Sequence, residues 1–185
     1  MSRIKLTETG FEGLTIIETT RLGDARGYFM ETYNYRDLKS VGIDIRFVQD
    51  NQSRSMLGVM RGLHFQNAPY AQTKMVRVLS GKILDVVLDL RKEKSTFGKT
   101  FQFEMSSERG EQLLVPKGFA HGFIVLSESV ELLYKTDEFH YPASEGGILF
   151  NDPALKIDWK IAEPEMIISE RDKKHPRLAD AQFNF

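Results

Sequence analysis

A chain of 185 residues with 41% hydrophobic and 28% charged residues has material for one substantial core, and no Pro-, Gly- or Ser-rich linker divides it, so residues 1–185 read as one domain. A formal net charge of −1, with acids and bases interleaved, excludes a polyanion-coating surface, and no nucleic-acid partner is expected. Cysteine is absent, which removes disulfides and thiolate metal sites and fits a reducing compartment. The opening Met1–Gly10 has no apolar leader core, and runs such as Phe123–Leu126 are too short to span a bilayer, so a cytoplasmic protein without membrane contact is expected.

In chain order, short β-branched and aromatic runs predict strands at Leu14–Thr20, Tyr28–Tyr35, Val76–Leu90, Lys99–Met105, Glu111–Pro116, Gly122–Ser127 and Val130–Thr136. Ser80-Gly81 reads as a hairpin turn inside the long run. Helical periodicity is confined to Tyr35–Ser40, with Gly42 as its stop, and to a turn or two near the C-terminus. The charged stretch Asp89–Lys99 reads as a solvated turn between strands. So many short strands in a chain of this size predict an all-β sandwich or barrel. Within it Arg61–Gln66, RGLHFQ, alternates so that one strand face presents His64 and Gln66 together.

Phosphate-loop, dinucleotide, zincin and hydrolase-elbow motifs are all missing. Two segments instead resemble the paired motifs of the cupin β-barrels. Gly58 is followed after five residues by His64, and Gly110, Pro116, Gly118 and His121 follow the second motif. Where metal-binding cupins carry a second histidine stands Gln66, Lys74 stands in the region of their glutamate, and Val125 replaces their asparagine. Two histidines, a carboxamide and an ammonium group repel a cation rather than hold one, so the pocket is expected to lack a metal. The ammonium group can still stabilise an oxyanion, and His64, freed from ligation, is available as a base.

Around these residues the stretches DARGYFMET, FVQDNQSRS, GVMRGLHFQ, KMVRVLSG, VPKGFAHGF, LLYKT, EGGILFNDP and ISERD, from Asp24 to Asp172, resemble the dTDP-4-dehydrorhamnose 3,5-epimerase family of cupins. The resemblance implies a double-stranded β-helix jelly-roll barrel with a few short helices. It also implies an isomerase without metal or cofactor, acting on a dTDP-4-keto-6-deoxyhexose at C3 and C5, whose protons are acidified by the flanking C4 ketone. By the same likeness His64 is the base, oriented by Asp172, Tyr134 is the proton donor on the other face, and Lys74 neutralises the enolate oxygen. His121 would lie beside the sugar; Arg61 and Arg171, with Gln49, Asn51 and Ser53, would hold the diphosphate and nucleoside; Glu145 would make a further substrate contact. Arg26, Phe29 and Glu31 would complete a neighbouring subunit's pocket, which implies a homodimer by strand exchange.

Two positions depart from the family pattern. Arg171 stands where many members have Lys, and Phe139 where a Tyr often stacks on thymine. Epimerisation at a single carbon, or ketoisomerisation, would use the same base, while a metal-dependent cupin or a non-catalytic sugar binder are the readings from other classes. His140 and His175 fall in no motif and read as structural hydrogen-bonding residues.

Overall fold

Short apolar runs, several of them bounded by glycine corners, build most strands of the computed structural model, which describes residues 4–185. In chain order these are β1 Ile4–Glu8, β2 Thr15–Thr19, β3 Arg21–Asp24, β4 Gly27–Met30, β5 Gln49–Met56, β6 Val59–Gln66, β7 Lys74–Ser80, β8 Lys82–Asp89, β9 Thr100–Ser106, β10 Gln112–Val115, β11 Phe119–Val125, β12 Ser129–Thr136, β13 Glu145–Gly147 and β14 Ile167–Ile168. The helix α1, Tyr35–Ser40, begins where Asn34 accepts hydrogen bonds from the Arg36 and Asp37 amides, and Gly42 follows its end with φ +94°. Short 3-10 turns occupy the C-terminal stretch, as expected.

Two six-stranded sheets face each other, each with free edges. One runs β1-β2-β10-β7-β12-β5; the other runs β13-β6-β11-β8-β9, with β14 added in parallel beside the start of β6. Inward residues of both sheets, among them Val76, Val78, Leu113 and Leu132 against Ile83, Val87, Phe119 and Phe123, fill the space between them. The outer face of the second sheet is covered by the C-terminal segment through Ile148, Phe150, Leu155 and Trp159. The outer face of the first is covered by α1 and the loop after it through Leu38 and Ile43. This is the expected jelly-roll. The charged Asp89–Lys99 turn does connect a hairpin, β8 to β9, although Asp89 itself is buried and accepts from Arg91 and Thr96.

Two local expectations fail. Ser80-Gly81 is not a hairpin turn: β7 pairs with β10 and β12, β8 with β9 and β11, so the chain crosses there from one sheet to the other. Gly81 sits at φ +83°, and a Cβ on it would come within 2.1 Å of the Ser129 carbonyl oxygen, so only glycine fits this corner. The Tyr28–Tyr35 run is a strand only to Met30, paired with β3 in a separate two-stranded hairpin; Asn34 and Tyr35 are taken by the helix start. Strand β5 went unread because DNQSRS is polar throughout, its alternation being between cavity and solvent rather than between core and solvent.

One irregularity positions the site. Along β6 and β11, His121 lies opposite His64 and Phe123 opposite Arg61, so three steps on β6 match two on β11. This bulge brings Arg61 and His64 to the same face despite their odd spacing. It depends on two strands touching at glycine: a Cβ at Gly62, whose φ is +131°, would lie 2.5 Å from Gly122 Cα and 3.0 Å from the His121 carbonyl oxygen. Gly62→Ala is expected to cost about 3 kcal/mol through strain and overpacking, read as a melting temperature lower by roughly 6–12 °C. A variant that melts with the parent would show that the strands separate easily here.

Candidate active site

The open end of the two sheets holds a cavity of about 870 Å³, walled by β5, β6, β7, β11, β12 and the segment that follows β14. Strand pleating decides what enters it. Tyr134 on β12 lies opposite Asn51 on β5, and Lys74 two residues before Val76 shares the inward face of β7, while His121 and His64 lie opposite each other on β11 and β6. Arg61, Ser53, Arg171 and Asp172 also line it. A smaller cavity of about 310 Å³ adjoins, sharing Asn51, His64, Lys74 and Tyr134 and adding Gln49, Gln66, His140 and Glu145.

His64 Nε2 lies 2.8 Å from Asp172 Oδ1, and the other carboxylate oxygen accepts from the Gly62 amide at 3.3 Å. The Asp172 amide donates to Ser169 Oγ, which fixes the turn that carries the carboxylate. Burial opposes the charge on Asp172, but the His64 hydrogen bond and charge and the Gly62 amide outweigh it and hold the carboxyl below its usual range. With Nε2 facing a carboxylate, Nδ1 is the nitrogen left for a substrate, the arrangement a general base needs.

Lys74 has no hydrogen-bonded carboxylate. Burial in the cavity wall pulls its ammonium pKa down to about 8, although Asp85 and Glu145 both act to raise it. The Tyr134 phenol is pushed up, chiefly by burial, with Arg61 working the other way and Glu145 adding to the rise. It therefore keeps its proton at neutral pH. Arg61 Nε donates to Ser55 Oγ and leaves the rest of its fork for other acceptors.

Two positions beside the site were given no site role by the sequence. Asp85, buried on β8, accepts from His121 Nε2 at 2.8 Å and thereby orients that ring, while its Oδ1 has no hydrogen-bond partner. The signal was present: an acid inside the apolar run KILDVVLDL must meet a partner. The other is His175, whose Nε2 is buried without a hydrogen bond 3.6 Å from Asp172 Oδ1.

At the rim Glu145 accepts from His140 Nε2 at 3.0 Å and from Arg171 at 2.7 Å. Burial works against its charge, but these donors and the Arg171 guanidinium hold the carboxyl below the usual range. Gln49 donates to Asn51 and accepts from the His140 amide, so the rim side chains brace one another. Arg26, Phe29 and Glu31 lie elsewhere: Arg26 is in the β3–β4 turn paired with Asp24, Phe29 is 65% exposed on β4, and Glu31 accepts from Asn34. None of the three lines this chain's cavity. Phe139 is also outside it, 62% exposed on the loop after β12.

Gln66, at the metal-ligand position of the cupin motif, has its amide fully engaged. It donates to the Tyr70 and Phe139 carbonyls and accepts from the Tyr141 amide, tying two loops together. Of the four motif positions His64, Gln66, Lys74 and His121, one is thus a structural amide, one an ammonium group, and the two imidazoles each engage a carboxylate. Among the described residues, one group of metal-type donors comes together, His64, Asp172 and His175, within 4.8 Å. Its central oxygen already holds the His64 ring, which makes it a carboxylate-centred network.

No helix among the described residues is long and apolar enough to cross a membrane. The family model for dTDP-4-dehydrorhamnose 3,5-epimerase matches residues 8–180. The dTDP-4-dehydrorhamnose 3,5-epimerase of Shigella flexneri is 41% identical over 181 residues, covering 97% of this chain and 99% of that protein. The crystal structure of the enzyme of that name from Elizabethkingia anophelis matches with a TM-score of 0.91 and 47% identity, over 96% of this chain and 98% of that one. The Legionella pneumophila dTDP-6-deoxy-D-glucose-3,5-epimerase, solved in complex with dTDP-4-keto-L-rhamnose, matches with a TM-score of 0.91 and 40% identity over 96% and 94% of the two chains. This chain belongs to the dTDP-4-dehydrorhamnose 3,5-epimerase family, and is an isomerase.

Proposed function

We propose that the chain epimerises dTDP-4-dehydro-6-deoxy-D-glucose at both C3 and C5, giving dTDP-4-dehydro-L-rhamnose. The observation that carries this reading is the placement of His64 and Tyr134 on facing sheets, both lining one cavity, with Lys74 lining it from the strand next to Tyr134's. A sugar ring lying between the two would meet a base on one face and an acid on the other. His64 Nδ1 removes the proton next to the ketone, Lys74 neutralises the enolate oxygen, and Tyr134 returns a proton to the opposite face, which inverts the carbon. Asp172 steadies the imidazolium while it exists. Arg61 and Arg171 offer guanidinium forks for the diphosphate, with Gln49, Asn51 and Ser53 toward the nucleoside, Phe139 toward its base, and His121 and Glu145 beside the sugar. No step needs a metal or an organic cofactor.

The working unit is a homodimer in which Arg26, Phe29 and Glu31 complete the partner's site. The exposed apolar side chains of the β3–β4 hairpin, Leu22, Tyr28 and Phe29, support that part. Mixing His64→Asn with a hairpin variant, Arg26→Ala/Phe29→Ala, is expected to restore about a quarter of parental activity from two nearly inactive proteins, since half the dimers mix and each mixed dimer rebuilds one site. No recovery on mixing would place the hairpin outside the partner's site.

Incubation with dTDP-4-keto-6-deoxyglucose in deuterated water, followed by NMR, is expected to show deuterium at both C3 and C5. Incorporation at one carbon alone would make the chain a single-site epimerase. His64→Asn is expected to slow exchange at both carbons by about 10³-fold with dTDP binding retained. Tyr134→Phe is expected to keep enolisation and lose inversion. Lost binding in the first variant would mean that His64 is structural.

Lys74 carries its charge below about 8, so kcat/KM is expected to fall on the alkaline side as that proton is lost. Lys74→Gln is expected to lower kcat by roughly 10²–10³-fold and to remove that limb. An alkaline limb unchanged in the variant would assign it to another group.

A further inference from the structure

His175 lies outside every motif, yet it is built into the back wall of the His64–Asp172 pair. It follows the 3-10 turn Asp172–Lys174, and its side chain is 12% exposed. Its ring meets the His64 ring edge to face, centroids 5.5 Å apart at 76°. Its buried Nε2 has no hydrogen-bond partner and points to Asp172 Oδ1, 3.6 Å away, the oxygen that His64 also engages. The ring is pressed against Gly147, where a Cβ would come within 2.4 Å of it, and Gly147 is the β13 residue paired with His64 itself. A side chain at 147 would push His175 off the pair.

We propose that His175 is a positioning residue for the catalytic base, holding the His64 ring from behind and sharing Asp172 Oδ1 so that the carboxylate does not bind His64 as a permanent imidazolium. The inference rests on His64 being the base. A nitrogen lone pair facing a carboxylate oxygen is repelled, so the tautomer that fits is the one with a proton on His175 Nε2. That N–H partly neutralises the oxygen and weakens its pull on a His64 proton. An aspartate alone would raise the pKa of its histidine partner and leave less free base at neutral pH.

The charges around His175 agree. Asp172 and Arg171 face it from its own segment and His64 from β6, while Glu145 of β13, held by Arg171, and Asp180 of the Leu178–Asp180 turn line the same outer groove. Lys173 and Lys174 of the turn are exposed. Burial, then the His64 and Arg171 charges, lower the His175 pKa against the opposing effect of Asp172, which favours the neutral ring. His64 itself has Asp172 and His175 behind it, Arg61 and His121 beside it, Lys74 and Tyr134 in the facing sheet, and Glu145 in the adjoining cavity.

The test compares His175→Phe, which keeps a ring and loses the N–H, with His175→Gln, which keeps a donor. In His175→Phe the acid limb of kcat/KM is expected to move to higher pH by about half a unit or more, with kcat down about tenfold and KM within twofold. The Gln variant is expected to recover part of that shift. In substrate-free protein the same displacement is expected in the His64 titration followed by ring-nitrogen NMR, a readout that does not depend on the reaction. A Phe variant with the parental acid limb and parental His64 titration would reduce His175 to packing. If His175→Phe does not fold, the Gln variant and the parental titration still decide, because independent single-proton curves for His64 and His175 in the parent would overturn the proposal. A coupled titration in a protein that shows no exchange at C3 or C5 would instead remove the functional reading and leave the pair intact.

Discussion

The 2.8 Å contact between His64 Nε2 and Asp172 Oδ1 is the interaction on which the rest of the site depends. It joins residues 108 positions apart, and several unrelated features of the fold exist to keep it. The bulge on β6 turns the His64 side chain into the cavity, and the Gly62 amide exposed by that bulge donates to the second oxygen of the same carboxylate. Ser169 caps the turn that presents Asp172, and β14 secures that turn by pairing with the start of β6. A carboxylate buried without these donors would be protonated and useless as an orienting group.

The same economy governs the positive side of the site. Where a metal-binding barrel gathers ligands, this one buries an ammonium group beside two carboxylates that are each committed elsewhere, Asp85 to His121 and Glu145 to His140 and Arg171. Lys74 thus has no hydrogen-bonded carboxylate and lines the cavity with its charge unsaturated. A fully paired lysine would be more stable and less able to respond to a new negative charge. The depressed pKa is the sign of that arrangement.

Much of the architecture was legible because the core strands are short β-branched and aromatic runs with turn residues between several of them, and β9, β10 and β12 fell close to their predicted places. What misled was local chemistry serving a distant partner. Ser80-Gly81 has the composition of a hairpin turn, but whether a glycine corner folds a strand back or sends it to the opposite sheet is decided by non-local pairing. β5 was invisible because its inward face contacts a polar cavity instead of the core. The family likeness brought His64, Lys74, Tyr134, Asp172 and His121 to attention, and all five line the one cavity. Asp85 was not singled out, and His175 read as a structural hydrogen-bonding residue although its Nε2 has no such partner; only the folded chain brings the first to His121 and the second to the His64–Asp172 pair.

The central claim is that a metal-free imidazole, an ammonium group and a phenol surround one sugar ring. A crystal structure of the His64→Asn variant with dTDP-4-keto-6-deoxyglucose tests it most directly. The account predicts the C4 oxygen beside Lys74 Nζ, with residue 64 and Tyr134 on opposite faces of the ring. A sugar bound with its ketone turned away from Lys74, or with both side chains on one face, would contradict it.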